Sequence, residues 1–209
     1  MRLLVIDTAT QALSVALLEN DVPIGRFHEI VGRGHAEALL PAIAALPDGG
    51  RADRIVVDIG PGSFTGVRIG IAAARALGLA WRVPVHGYST PALIAAMAAR
   101  QNEAGGRIAV TITGGHGELF WQWFDPAGRV AESPVASTLI AQLAEQLVAP
   151  AYYGTGAEAL VTARGAGIAV TLYPDAADYP LIADQPLLPP SPIYGRGADA
   201  MTMAERAAS

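Results

Sequence analysis

The residues richest in usable chemistry run Gly60-Pro61-Gly62-Ser63-Phe64-Thr65-Gly66-Val67-Arg68-Ile69-Gly70, between a strand pattern and a helix pattern. Three readings compete for them. A glycine turn feeding a helix N-terminus presents free N–H groups to an anion. The spacing, however, is G-x-G-x-x-x-G, no acidic residue stands near the next strand to hold a ribose, and the lysine of a phosphate loop is missing. A serine on a nucleophile elbow needs glycine at 61 and 65, and those positions are Pro61 and Thr65. The third reading is packing. Gly66, Gly70, Ala74 and Gly78 recur every four residues and make a shallow row on one helix face, flanked by Phe64, Val67, Ile71 and Leu79. Each interior glycine costs about 0.8–1 kcal/mol against alanine, a loss that close approach of another helix recovers. Arg68 and Arg75 lie seven apart and rim such a contact; the plain alternative is an internal helix with solvated arginines.

Asp7-Thr8-Ala9-Thr10 is a second candidate. An aspartate at the turn after a first strand can hold hydrated Mg²⁺ beside phosphates, or cap its own turn. The corresponding turn later in the chain, Thr111-Ile112-Thr113-Gly114-Gly115, has no carboxylate. His35 opens a helix pattern, but position 39 is Leu39, so no H-x-x-x-H metal pair exists. His28, His86 and His116 lack partners at ligand spacing. Trp121 and Trp123 share one strand face by period two.

Composition narrows the chemistry further. The 209 residues are 52% hydrophobic and 16% charged, with net charge −5 and pI near 5.3. That excludes disorder, and an acidic balance without a basic run argues against autonomous nucleic-acid binding. Every positive residue is arginine, so lysine Schiff-base chemistry is absent; without cysteine there are no disulfides, thiolate zinc sites or cysteine nucleophiles. The apolar N-terminal run ends at Asp7, too short for a secretory signal. Residues 69–81 are interrupted by Arg75 and fall short of the roughly 20 a membrane helix needs. A cytoplasmic protein with no membrane association is expected.

The elements that must position these residues follow from periodicity. Strands are expected over 3–6, 13–18 and 22–31, a helix over 35–46 stopped by Asp48-Gly49-Gly50, and a strand over 54–59. A helix capped by Ser63 or Thr65 runs to about Arg82, then a strand over 84–86 and a helix from Thr90, as cap, to near Gln101. The order repeats: strands over 107–112, 119–124 and 129–132, a helix over 137–148, a strand over 151–153, a helix over 157–164 and a strand over 168–172. This reads as a duplicated α/β unit, with halves 1–103 and 104–209 meeting at a turn over 102–106. Residues 174–192 hold six prolines and read as an extended crossover, and 198–208 as a short helix.

Taken in order, MRLLVIDTATQALSVAL, GHAEALLPAI, GPGSFTGVRIGIAAARALGLA, GELFWQWF and Pro192-Ile193-Tyr194-Gly195-Arg196 resemble the TsaB (YeaZ) family, a subunit of the bacterial tRNA threonylcarbamoyladenosine synthase. The GPGSFTGVRIG stretch is the specific part. The resemblance implies a duplicated actin/Hsp70/sugar-kinase-like (ribonuclease H-like) fold with two βββαβαβ-type halves. It implies a non-catalytic partner of TsaD, which transfers threonylcarbamoyl from threonylcarbamoyl-AMP to N6 of adenosine 37 in tRNAs reading codons that start with A. The family pairs with TsaD through its N-terminal helices, is joined by the ATPase TsaE, and forms homodimers through the same helices; tRNA is met only through the complex. The family pattern has an acidic, arginine-containing turn before the GE-x-x-W strand. Here that turn is Thr113-Gly114-Gly115-His116, so no ligand role is carried over to it.

No catalytic, metal or cofactor residue is therefore expected. The expected site is a partner interface of His35, Leu39, Ile43, Phe64, Val67, Arg68, Gly70, Ile71, Ala74, Arg75 and Gly78. In it the helices over 35–46 and 64–81 would form a bundle with TsaD, burying about 1,600 Å² in all. A small-molecule kinase or ATPase of the same fold is the alternative, and a homodimeric binding module a third.

Overall fold

The apolar N-terminal run becomes β1 (Arg2–Asp7), and its side chains alternate between two cores. Leu4 and Ile6 enter one, Leu3 and Val5 the other, as a strand buried on both faces requires. The computed structural model describes residues 1–102 and 105–193. The expected helix over 198–208, the motif residues Tyr194, Gly195 and Arg196, and two residues of the 102–106 turn lie outside the described residues.

β2 (Ala12–Glu19) and β3 (Val22–Ile30) continue from β1 as an antiparallel meander, while β4 (Arg54–Asp58) and β5 (Val85–Tyr88) add in parallel. The order is β3-β2-β1-β4-β5. α1 (His35–Ala44) and α2 (Phe64–Trp81) form the connections around β4, and α3 (Thr90–Ala99) follows β5. The second sheet repeats the pattern. β6 (Ile108–Thr113), β7 (Glu118–Phe124) and β8 (Ala136–Leu139) form the meander; α4 (Ile140–Gln146), β9 (Ala151–Tyr153), α5 (Ala157–Arg164) and β10 (Ile168–Val170) complete the order β10-β9-β6-β7-β8. This is the duplicated α/β architecture expected from the sequence.

Five layers result. α1 and α2 cover the outer face of the first sheet. α3 lies between the sheets: Leu93 and Ala96 pack on the first, and Ala92, Ile94, Ala95 and Ala98 on the second. A helix apolar on every side fits only such a buried position. α4 and α5 cover the far face of the second sheet through Leu143 and Leu160.

Four expectations need correction. Residues 129–132 are not a strand; only an isolated bridge joins Ala131 to Phe124. Asp125 Oδ1 accepts the Arg129 and Val130 amides at 2.6 and 2.8 Å, and Gly128 sits at φ +66°, so this segment is a side-chain-stabilised turn. The third strand is β8, tied to β7 by Trp121 Nε1 donating to Thr138 Oγ1 and by Ser137 Oγ donating to Glu118 Oε2. The helix expected from 137 accordingly starts at Ile140. The N-cap position of α3 is Ser89 rather than Thr90. Residues 174–192 are not wholly extended either. Asp175 caps a 3₁₀ turn over Ala176–Ile182, whose Tyr179 and Ile182 bury against Leu3, Val5 and Tyr88.

Candidate functional site

Ser63 caps α2, its hydroxyl accepting the Gly66 amide at 3.1 Å. The small-residue row that follows points inward. A methyl group placed on Gly66 would collide with the Thr8 carbonyl oxygen, one on Gly70 with Thr8 Oγ1, and one on Gly78 with a Val85 methyl. Ala74 is fully buried in the same core. The row is therefore the bed on which α2 lies against its own sheet, not an outer strip awaiting a partner. This corrects the expectation for Gly70, Ala74 and Gly78.

Most of the expected anchors turn inward as well. Leu39, Ile43, Val67 and Ile71 are buried in the first core. His35 is buried, with Nε2 3.3 Å from the Ala12 carbonyl oxygen, and pins the start of α1 to β2. As they stand, these five cannot touch another protein. α2 carries small residues on two faces, and on both helices periodicity alone does not say whether an apolar face meets the chain's own sheet or a partner.

The face left outside is different. Phe64 is 68% exposed and Leu79 83%, with Ala72, Arg75 and Ala76 exposed between them; beside them on α1, Leu40 is 54% exposed. Arg68 folds over the Phe64 ring, its guanidinium carbon 3.3 Å from the centroid, and donates to the Phe64 carbonyl at 2.8 Å. Of the residues expected in an interface, Phe64 and Arg75 lie exposed here, with Arg68 half-buried beside them. Leu79, expected only as a flank of the row, is exposed beside them, and Leu40, Ala72 and Ala76 were not singled out. A signal was present for three residues: Leu40, Ala72 and Leu79 each follow a buried residue by one position. At the opposite end of the molecule α4 and α5 expose Gln142, Glu145, Gln146, Glu158 and Thr162. The outer face of α1 and α2 thus carries large exposed apolar side chains, Leu40, Phe64 and Leu79, where α4 and α5 expose mainly polar ones and alanines.

Beneath α2 lies a second cluster. Asp7 ends β1 and Asp58 ends β4, both fully buried. Asp7 Oδ1 accepts the Ala9 amide at 3.1 Å and Oδ2 accepts the Tyr88 hydroxyl at 2.7 Å, so the carboxylate caps its own turn. Asp58 Oδ1 accepts the Thr8 amide at 2.7 Å and the Thr8 hydroxyl at 3.2 Å. Burial pushes the Asp7 carboxyl up to about 7; burial, and then the charge of Asp7, push Asp58 up as well. Burial also raises the Tyr88 hydroxyl.

The glycine turn adjoining this pair does not offer a ring of free amides. Ser63 N donates to the Ala9 carbonyl at 2.7 Å, and the Gly66 amide is taken by Ser63. Gly62 presses on Ala9 so closely that a side chain there would meet its backbone. The cluster as folded joins two loops. Among the described residues no three His, Asp or Glu side chains gather as a metal site, and no helix is long and apolar enough to cross a membrane. In the second half, the Thr113–His116 turn is closed by Gly114 N donating to the Glu118 carbonyl, with His116 at φ +58°.

Comparisons with known proteins fit this architecture. The family model described as TsaD, tRNA N6-adenosine threonylcarbamoyltransferase, matches residues 23–163. The chain is similar to the tRNA threonylcarbamoyladenosine biosynthesis protein TsaB of Escherichia coli K12, with 40% identity over 126 residues, 58% of this chain and 54% of that protein. The corresponding Bacillus subtilis protein is 36% identical over 101 residues, 46% of this chain and 44% of that one. The matched part thus spans about half the length of these curated relatives. Among solved structures, YeaZ from Pseudomonas aeruginosa superimposes with a TM-score of 0.77 at 28% identity, covering 92% of this chain and 99% of that one. The ethanolamine utilization protein EutJ from Carboxydothermus hydrogenoformans shares the fold alone, with a TM-score of 0.50 at 11% identity over 86% of this chain and 89% of that one. Sequence and structure together establish that this chain belongs to the family described by the TsaD model, as a TsaB (YeaZ) member of it.

Proposed function

We propose that this chain is a non-catalytic subunit required for N6-threonylcarbamoyladenosine formation at adenosine 37 of tRNAs reading codons that start with A. Its work is to bind and support TsaD, with TsaE joining the pair, in the cytoplasm. The observation that carries this reading is the apolar outer layer of α1 and α2, where Leu40, Phe64, Ala72, Ala76 and Leu79 face solvent. Large apolar side chains grouped on one helical layer gain from burial at roughly 25 cal/mol per Å². Alanines 72 and 76 keep the centre of α2 low, so a helix of another protein can lie close. A scaffold role is further supported by the inner cluster, where Asp7 accepts the Ala9 amide and the Tyr88 hydroxyl, Ser63 N donates to the Ala9 carbonyl and the Gly60 carbonyl accepts the Thr90 amide. The names carried by the relatives supply the pathway.

Leu79→Asp tests the docking face. Leu79 is 83% exposed, so the variant should unfold at the wild-type urea midpoint. It should no longer coelute with TsaD, and a reconstituted reaction should lose A37 modification as if the chain were left out. Coelution at wild-type strength would move the interface elsewhere. Calorimetry with Mg-ATP on the isolated chain separates the kinase alternative: micromolar binding would favour it over the scaffold.

A further inference from the structure

Arg75 stands exposed on α2 between Ala72 and Leu79, and its guanidinium reaches from the edge of that face to residues 190 and 191. Nη2 donates to the Pro190 carbonyl at 2.8 Å and lies 3.5 Å from Ser191 Oγ. The chain it reaches, residues 187–193, is a strap along the edge of the first sheet. Leu188 and Gly87 exchange two backbone hydrogen bonds, 2.6 and 3.0 Å, beside β5. Ile193 N then donates to the Ile59 carbonyl at 2.7 Å, and the side chains of Leu188 and Ile193 pack against the core under α2. Three of the seven strap residues are proline and bring no N–H, so backbone pairing alone holds the strap at few points. Its last contact is also a sensitive one. Gly60, next to Ile59 and two residues from the buried Asp58, accepts the Thr90 amide at 3.2 Å through its carbonyl.

We infer that Arg75 latches the strap to the outward face of α2, so that a protein seated on that face tightens the strap over β5 and the Gly60 turn. The inference rests on the proposed docking of TsaD and adds a conformational response to it. The physical reason is water. In the free chain both Arg75 contacts are solvent-exposed, and water competes with them. A partner lying across Ala72, Ala76 and Leu79 covers the guanidinium, and a charged hydrogen bond shielded from water is stronger. The strengthened contact has one place to act, the Pro190–Ser191 end of the strap. A signal that begins on α2 then ends beside the buried Asp58.

Hydrogen exchange on the full chain tests this with and without TsaD. In the free chain, Arg75→Met should speed exchange at the Leu188 and Ile193 amides about tenfold while β1 amides stay unchanged. Unchanged strap exchange in that variant overturns the latch, whatever TsaD does. In wild type, saturation with TsaD should slow the same two amides about tenfold; in Arg75→Met, with coelution establishing the complex, it should slow them less than about twofold. Equal slowing in both proteins, or none in a wild-type complex that forms, overturns the coupling and leaves the docking face standing. Failure of wild type to coelute with TsaD at all strikes the proposed function itself, and the coupling falls with it.

Discussion

Asp7 and Asp58 face burial with no cation among their hydrogen-bond partners, only N–H and O–H groups. Desolvation disfavours the charged forms, so the folded chain holds a proton that the unfolded chain releases. For Asp7 the folded value is about 7 against an ordinary 3.8, and the shift of Asp58 has the same sign. Between those values the native state binds more protons than the unfolded state, and stability falls as pH rises. The contribution is fully present below about pH 4, and that of Asp7 is lost once the pH passes about 7. Urea midpoints taken from about pH 4 to about pH 8 should therefore decline across that window. Asp7→Asn should flatten the decline, because the amide carries no titrating proton and still offers an acceptor to Ala9 N. A wild-type slope retained in the variant would assign the titration to other groups. Asp7 as a turn cap was legible from sequence, since an aspartate two residues before a free amide is a local pattern. Its neighbour Asp58 was not, because the pairing of β1 with β4 brings together residues 51 positions apart, as in Leu3 with Arg54.

α2 shows how an element can be read correctly and oriented wrongly. Its bounds, its Ser63 cap and its small-residue row all follow from local spacing. What spacing does not encode is the partner of the row, because Ala72 and Ala76 make a second small-residue face beside it. The sheet decides: Thr8, Val57 and Val85 fill the space over Gly66, Gly70 and Gly78. Gly70 thus becomes a test of packing. In Gly70→Ala the new methyl meets Thr8 Oγ1, which is fixed by its bonds to Asp58 and to the Gly66 carbonyl at 2.9 Å, and it lies 3.3 Å from a Val57 methyl. Overpacking of that kind costs about 1–3 kcal/mol, to be read as a lowered urea midpoint. Binding to TsaD, measured where the variant is still folded, should persist. An unchanged midpoint would mean that α2 lifts off its bed freely. The misread strand over 129–132 has a related cause. Arg129 and Val130 look extended by composition, but the Asp125 carboxylate gathers both amides into a turn, and no periodicity reports a side chain that competes for backbone donors.

The two halves repeat in element order yet do not carry equal loads. One face of the first sheet, formed by Leu3, Val5, Ala16, Leu18 and Val56, is covered by α3 and by the 3₁₀ turn of the returning crossover. Ala176, Tyr179 and Ile182 supply that cover, and Asp175 anchors it through Ser14 at 3.3 Å and Arg26 at 2.9 Å. The first sheet therefore borrows part of its core from the end of the chain. α3 lends in the other direction, since Ala92, Ile94, Ala95 and Ala98 belong to the core of the second sheet. A fragment of residues 1–103 would expose the face that Tyr179 and Ile182 cover, together with the far side of α3. Removing a buried aromatic alone costs about 3–5 kcal/mol, a large share of the roughly 5–15 kcal/mol that holds a domain folded. The fragment should be expressed as an aggregating or dye-binding species without cooperative unfolding. Co-expression with residues 104–209 should restore a soluble complex of the two. Cooperative urea unfolding of the isolated fragment would mean that the first half carries a complete core by itself. Arg75 and the strap would then be an appendage to that half, and not part of what closes it.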